Sequence, residues 1–247
     1  MTHSVSIGAD IGHSSCKLSV KTTTTSAPIE GSTQLFPTVV RDWVHITNET
    51  TAAKALVDTV NVNGRKFFVG VTAQRQSQAE NFSGQNRDWI HTEQHDALLV
   101  SAWDRAMTVL ANNDIRDPKQ ISLVLGLPAS YYSEQREPLR QRAANLLAPL
   151  VKPDQDLQIY IESQSRAPLL CVAFDDKGME TGRDSDESTW GVVEIGHFTT
   201  DFTLHDHGQE VDAATNSAKG AHMAYDRIAS VFKQRGYESN FEVVTRA

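Results

Sequence analysis

Apolar and polar positions alternate from the start of the chain. Val5, Ile7, Ala9 and Ile11 fall on one face, Gly12 to Ser15 interrupt them, and Leu18 and Val20 resume the alternation. A period of two broken by a glycine and hydroxyl residues predicts a β-hairpin with one face in the core. The stretch VNGRKFFVG sets Asn63-Gly64 between apolar segments, the composition of a two-residue hairpin turn. Leu99, Trp103, Ala106 and Leu110 recur at helical spacing, predicting a long helix capped by Thr92 and ending near Asn112 and Asn113. Ile121 to Leu127, closed by Pro128, predicts a buried strand, and Ser133 then opens a helix that turns Leu139, Ala143, Leu146 and Leu147 inward. Leu157 to Ile161 predicts a strand ending at Glu162, followed by a short helix over Ser165 to Phe174. Trp190 to Leu204 predicts a second hairpin, and Asp206 to Gly208 a turn into a strand around Val211. Ser217 opens a last helix that runs to about Gln234 and stops at Gly236.

Strands that alternate with helices predict an α/β layer architecture, in which ligands gather at the carboxyl ends of strands. Asp10, Glu162 and Glu194 stand at three such ends. The polar stretches Thr22 to Ser26 and Gln74 to Asp88 read as connections. Asp175 to Ser188 holds six acids against two basic residues and no apolar period, so it reads as a surface loop and a candidate boundary.

The two hairpins are near copies. SIGADIGHSSCKLSV, 6–20, aligns without a gap on WGVVEIGHFTTDFTL, 190–204: Asp10 falls on Glu194, Gly12 on Gly196, His13 on His197 and Ser15 on Thr199. Each copy is an apolar strand ending in an acid, then a glycine turn with hydroxyls, then a second strand. Such a turn can offer successive backbone N–H groups and hydroxyls to an anion, and the acid can hold a divalent cation or its water. Lys17, just past the first turn, is within reach of a phosphate held there, although a solvated strand lysine is the plainer reading without the second copy. The His205-Asp206-His207 cluster reads as a turn with exposed histidines before it reads as a metal site. His13 and His197 read as solvated turn residues, with phosphate contact as the alternative.

Composition narrows the class. A formal net charge of −8 argues against a surface that coats nucleic acid, so contact with DNA would run through a partner. Two distant cysteines, Cys16 and Cys171, fit neither a zinc site nor a redox pair and predict unpaired thiols in a reducing cytoplasm. No apolar run approaches the length of a membrane span.

Several stretches resemble the actin-like ATPases, and within them the plasmid-segregation ParM/StbA group. Asp10-Ile-Gly-His-Ser-Ser-Cys-Lys17 is similar to the first phosphate hairpin of that superfamily and Glu194-Ile-Gly-His-Phe-Thr-Thr-Asp201 to the second. VNGRKFFVGVTA, 62–73, and GLPASYYSEQREPL, 126–139, are similar to stretches of the segregation ATPases. The resemblance implies an actin-like (ribonuclease H-like) fold: domain I over 1–188, with a smaller inserted subdomain at roughly 31–90, and the N-terminal part of domain II over 189–247. It implies ATP/ADP and Mg²⁺ as cofactors. Asp10, and Glu194 where aspartate is usual, would hold the metal. Gly12, His13, Ser14, Ser15 and Lys17 would contact phosphate from one hairpin, and Gly196, His197, Thr199, Thr200 and Asp201 from the other. Glu162, which opens ESQSRAP, would position the attacking water, making Glu162, Asp10 and Glu194 the catalytic set.

The implied function is ATP hydrolysis coupled, in the full-length form, to self-association into filaments that segregate or position plasmid DNA, reached through a basic DNA-binding adaptor on a plasmid centromere, with no direct nucleic-acid or membrane binding; the activity of this 247-residue form is left open. Family members continue through more of domain II, including a glycine-rich adenine loop that nothing after Gly220 resembles. The expectation is therefore an incomplete second domain, weak ATP binding and no regular filaments. An Hsp70-like ATPase would need a peptide-binding domain and a sugar-kinase-like ATPase an acceptor pocket. A nucleotide-free structural or regulatory pseudoenzyme is the remaining alternative.

Overall fold

The computed structural model describes residues 4–22, 29–76, 88–175, 178–183, 186–197 and 199–237. Of the polar stretches read from the sequence, 23–28 and 77–87 lie outside the described residues, as do Phe198 and parts of the acidic loop. The chain divides into two compact units, Met1–Gly126 with Glu134–Ile161 and Leu127–Ser133 with Glu162–Ala247.

In the first unit the predicted hairpin forms as β1 (Ser4–Ile11) and β2 (Ser15–Thr22), paired antiparallel. Next come β3 (Thr33–Pro37), β4 (Val40–Asp42) and α1 (Glu49–Ala55), elements that the hydrophobic period did not announce. They are short and carry mixed residues, and α1 is started locally by Asn48, whose side chain accepts from Thr51 N–H at 2.9 Å. Asn63-Gly64 does turn a hairpin, between β5 (Thr59–Val62) and β6 (Arg65–Val69), with positive φ at both residues. α2 is Gly70–Gln76 and α3 Glu93–Asn112, the latter capped by Thr92, whose hydroxyl accepts from His95 N–H at 3.2 Å. β7 (Gln120–Leu127) follows, and α4 spans Ala129–Leu147.

That helix starts four residues before Ser133, the predicted cap. Pro128 sets the first turn directly, since its carbonyl accepts from Tyr131 N–H at 3.0 Å. Leu139, Ala143 and Leu147 point inward as expected, and Leu146 is only half-buried. With β8 (Asp156–Ser163) the main sheet runs β3-β2-β1-β7-β8, and β4-β6-β5 form a second, three-stranded sheet. β1 and β7 are parallel, which brings the apolar faces of both strands against one core.

α3 packs on β1, β2, β5 and β6 and is thereby shared by both sheets. Leu98, Leu99 and Leu110 from it are fully buried, as are Ile7, Leu18, Ile121, Leu123 and Leu125 from the strands. Each such side chain contributes about 1.5–3 kcal/mol. A buried ion pair fastens the smaller sheet to this helix. Arg105 bonds the carboxylate of Asp58, whose other oxygen accepts Thr72 N–H at 2.9 Å and Thr72 Oγ1–H at 2.7 Å. The Arg105 guanidinium also lies 4.4 Å from the ring centre of Phe36.

The second unit contains α5 (Ala167–Ala173), then a sheet of β9 (Thr189–Ile195), β10 (Thr199–Asp206), β11 (Gln209–Glu210) and β12 (Asn216–Lys219), with α6 (His222–Gln234) after it. β10 is central, pairing antiparallel with β9 along one edge and with β12 and β11 along the other. Ser217 therefore lies in a strand, not at the start of a helix. The helical spacing seen from there is real only from His222 onward, because pairing of Thr199–Phe202 with Asn216–Lys219 keeps the earlier residues extended. The strand expected around Val211 is only Gln209–Glu210, and Asp206 belongs to β10. The turn is His207-Gly208, both at positive φ. His205 is buried at 2% exposure, not exposed in a turn.

Cys16 and Cys171 are both free thiols, and burial pushes Cys16 up to a pKa of about 12. No helix among the described residues is long and apolar enough to cross a membrane. Arg105→Ala leaves Asp58 buried with its charge unneutralised and is expected to lower the unfolding free energy by about 3 kcal/mol in urea titration.

Candidate functional site

In the first hairpin Asp10 stands directly opposite Lys17, and the two form an ion pair of 2.9 Å. The turn closes so tightly that a Cβ on Gly12 would meet the Ser15 carbonyl oxygen at 2.9 Å. Two residues outside the hairpin hold its carbonyls. Trp89 Nε1–H donates to Ile11 O at 3.2 Å, Thr38 Oγ1–H to Gly12 O at 2.6 Å and Thr38 N–H to Ser14 O at 3.1 Å. A trans peptide sets C=O and N–H in opposite directions. The N–H groups of Gly12, His13 and Ser15 are thus directed away from Trp89 and Thr38. That is the arrangement an anion-binding turn requires.

The second hairpin repeats the plan. Gly196 N–H donates to Thr199 O at 2.8 Å, and a Cβ on Gly196 would come within 3.0 Å of that same oxygen. Here the start of α6 ties off the carbonyls, with Ala221 N–H donating to Gly196 O at 3.0 Å and His222 N–H to His197 O at 2.8 Å. His222 Nδ1 also lies 3.0 Å from His197 O. Gly220 passes so close that a Cβ there would meet Gly196 O and Thr199 N at 2.6 Å. Asp201 accepts from Thr199 Oγ1 at 2.9 Å and from Ser217 Oγ, and Thr200 Oγ1 reaches Lys219 O at 3.4 Å.

The register differs in charge. Where Asp10 faces Lys17, Glu194 faces Asp201. The first hairpin carries an acid–base pair across the strands and the second two acids on adjacent strands.

Neither turn histidine is simply solvated. Both are half-buried. His13 stacks on Trp89 with ring centres 5.9 Å apart and planes at 28°, and His197 on Tyr225 at 5.6 Å and 29°. Offset stacks of this kind contribute about 0.5–1.5 kcal/mol. Burial, then the His222 charge, lowers the pKa of His197, with Asp226 opposing. Behind Trp89, His95 makes an edge-on contact at 5.8 Å, and its buried Nδ1 has no hydrogen-bond partner. Burial first, then the charges of Arg142, His91 and His13, bring His95 down to about 3.

Glu162 lies at the end of β8, with its carboxylate 3.5 Å from Arg166 Nη1. Just after it, the Ser165 side chain donates its Oγ–H to Glu210 Oε2 of β11 at 3.1 Å, and the Ser163 and Ser165 hydroxyls share a hydrogen bond of 2.8 Å. Asp10, Gly12, His13, Ser14, Ser15 and Lys17 therefore sit together in one unit. Glu162, Glu194, Gly196, His197, Thr199, Thr200 and Asp201 belong to the other. His205, Asp206 and His207 do not converge on a metal site, and no group of three or more His, Cys, Asp or Glu side chains does so among the described residues.

Thr38, Trp89, Ser217, Gly220 and Tyr225 were not apparent from the sequence. Each acts on a hairpin from a segment distant in the chain. The one available signal was a histidine repeated at the same turn position.

Two α/β units, each ending a strand in an acid and turning on a glycine, define the actin-like fold. The chain belongs to the actin-like proteins, since residues 8–163, more than half of it, match the family described as Actin like proteins N terminal domain. No curated protein matches it. Among solved structures it is similar to apo pSK41 ParM, with 14% identity and a TM-score of 0.59 over 93% of this chain and 70% of that one. It is likewise similar to Bacillus thuringiensis ParM with ATP, at 15% and 0.56 over 94% and 65%. A third likeness is to AlfA from the B. subtilis plasmid pLS32 in its filament structure, at 14% and 0.56 over 93% and 78%. At these identities the likeness is one of fold.

Gly220→Ala is expected to destabilise the protein by about 1–3 kcal/mol, because backbone atoms on three sides leave the methyl no room; thermal unfolding measures it. His95 remains neutral in the folded chain down to about 3 but titrates near 6.5 when unfolded. Between those values the unfolded chain binds the extra proton, so the His95 contribution is complete above 6.5 and falls by about 1.4 kcal/mol per pH unit below it. The difference in unfolding free energy between wild type and His95→Met, followed against pH, is expected to show that slope.

Proposed function

We propose that this chain is a ParM-type filament protein that binds and hydrolyses ATP with Mg²⁺ and uses assembly to segregate or position plasmid DNA, held through a basic adaptor. The observation that carries this reading is the pair of hairpins: each ends a strand in an acid, closes on a glycine against the carbonyl three residues on, and has its turn carbonyls tied off from outside. Each braced turn suits a phosphate group. The solved structures with ATP and in filaments support the same reading through fold.

The donor set fits Mg-ATP. Backbone N–H groups, the hydroxyls of Ser14, Ser15, Thr199 and Thr200, and the ammonium of Lys17 suit phosphate oxygens. Each of the carboxylates Asp10 and Glu194 is the ligand type of a magnesium ion that retains water and phosphate ligands. Bound Mg²⁺ supplies charge neutralisation at the phosphates. Lys17, already 2.9 Å from Asp10, places a positive charge beside the first turn. Glu162 orients a water and accepts its proton, with Arg166 holding the carboxylate in position. With a net charge of −8, the chain would meet DNA through a protein of opposite charge.

Calorimetry with Mg-ATP is expected to show weak binding that Asp10→Ala weakens further, by at least tenfold, and sedimentation of the full-length form to show nucleotide-dependent assembly. Glu162→Gln is expected to lower turnover by about 10²–10⁴ while leaving affinity within twofold of wild type. A chain that does not bind Mg-ATP at all would overturn the nucleotide reading, and a full-length form that stays monomeric with nucleotide would overturn the filament reading.

A further inference from the structure

We propose that Trp89 and Tyr225 are matched positioning residues, each an aromatic plate that holds one turn imidazole, His13 or His197, as a hydrogen-bond donor to phosphate oxygens. The inference rests on the nucleotide reading above and names residues outside both hairpins.

The two stacks agree closely, at 5.9 Å and 28° against 5.6 Å and 29°. Yet both plates lie outside the internal repeat, 6–20 and 190–204. Trp89 comes from the short 3₁₀ turn Trp89–His91 before α3, and Tyr225 from the first turn of α6. One arrangement reached from two unrelated segments points to a requirement at the turns themselves. Each plate is also tied to the backbone of the turn it serves: Trp89 through its own Nε1–H to Ile11 O, Tyr225 through the Ala221 and His222 amides of its helix to Gly196 O and His197 O.

A turn of this shape needs no ring. It needs glycine at Gly12 or Gly196, and the next position accepts a small residue. A free imidazole would lose rotamer freedom on meeting a phosphate, which weakens the contact it makes. Stacking on a fixed plate removes that freedom beforehand. A neutral imidazole carries one N–H, sufficient to add a donor to the backbone amides of the turn. The plates act through the histidines and touch no phosphate themselves.

Tyr225 allows a clean test because it is half-buried and its loss opens no core cavity. Tyr225→Ala is expected to weaken Mg-ATP binding about fivefold by calorimetry, Tyr225→Phe to restore it, and Tyr225→Ala to cause no further loss in a His197→Ala background. His13→Phe and His197→Phe keep a ring on the plate and remove the donor. Each is expected to retain the wild-type unfolding midpoint and bind Mg-ATP about fivefold more weakly. The proposal is overturned if Tyr225→Ala costs the same with and without His197, or if the histidine-to-phenylalanine variants bind as wild type. In either of those cases normal wild-type binding leaves the nucleotide reading standing. A wild type that does not bind Mg-ATP removes both.

Discussion

The direction of a few peptide planes governs both hairpins. A trans peptide cannot turn its carbonyl inward without turning its N–H outward, so whichever groups bind the carbonyls also aim the amides. In the first hairpin that work falls to Thr38 and Trp89, and in the second to the amides of Ala221 and His222. These donors are themselves fixed. Trp89 is buried and packs edge-on against His95 of α3, and α3 joins both sheets of its unit. The amides of α6 are fixed by helix geometry and by Gly220, which admits no side chain. The turns are thus set by the packed elements behind them, which is how a site is held ready for its ligand before the ligand arrives.

Charge separates two copies that share this geometry. Opposite Lys17, Asp10 is neutralised across the strand pair, so the first turn presents its amides beside a carboxylate already paired with a cation. Opposite Asp201, Glu194 has another acid, although the two Asp201 oxygens are taken up by the hydroxyls of Thr199 and Ser217. Glutamate at 194 extends the carboxylate by one more methylene, about 1.5 Å, than an aspartate would.

Local patterns made much of this legible. The alternation in β1 and β2, the Asn63-Gly64 turn, the Thr92 cap and the apolar stripe of α3 are all properties of short windows, and each appears where the pattern placed it. Two of the errors trace to β10 and one to a local turn. Ser217 sits in a window that reads as helix, but pairing with β10 keeps it extended, and that partner lies 16 residues away. His205 looked exposed beside a turn, yet β10 runs one residue past it and carries it into the interior. Ser133 looked like a cap because its hydroxyl fits the role, whereas Pro128 had already set the helix. The hairpin residues were visible because the chain states them twice. Their supports were not, since Thr38, Trp89, Gly220 and Tyr225 recur nowhere and gain meaning only from what they touch.

This difference bears on how a duplicated site diversifies. The hairpin is a short unit that can be copied whole, with acid, glycine and hydroxyls in fixed order. Its braces cannot be copied with it, because they come from whatever the surrounding fold places nearby: a 3₁₀ turn and a loop threonine in one case, a helix start in the other. Each copy must then find its own donors for the turn carbonyls and its own ring for the turn histidine. A mutation in a brace affects one hairpin and leaves the other in register, so the two turns can be tuned separately while keeping the same sequence. Glu194 and Asp201 differ in charge from Asp10 and Lys17, while both glycine turns close by the same contact between a missing Cβ and a carbonyl oxygen.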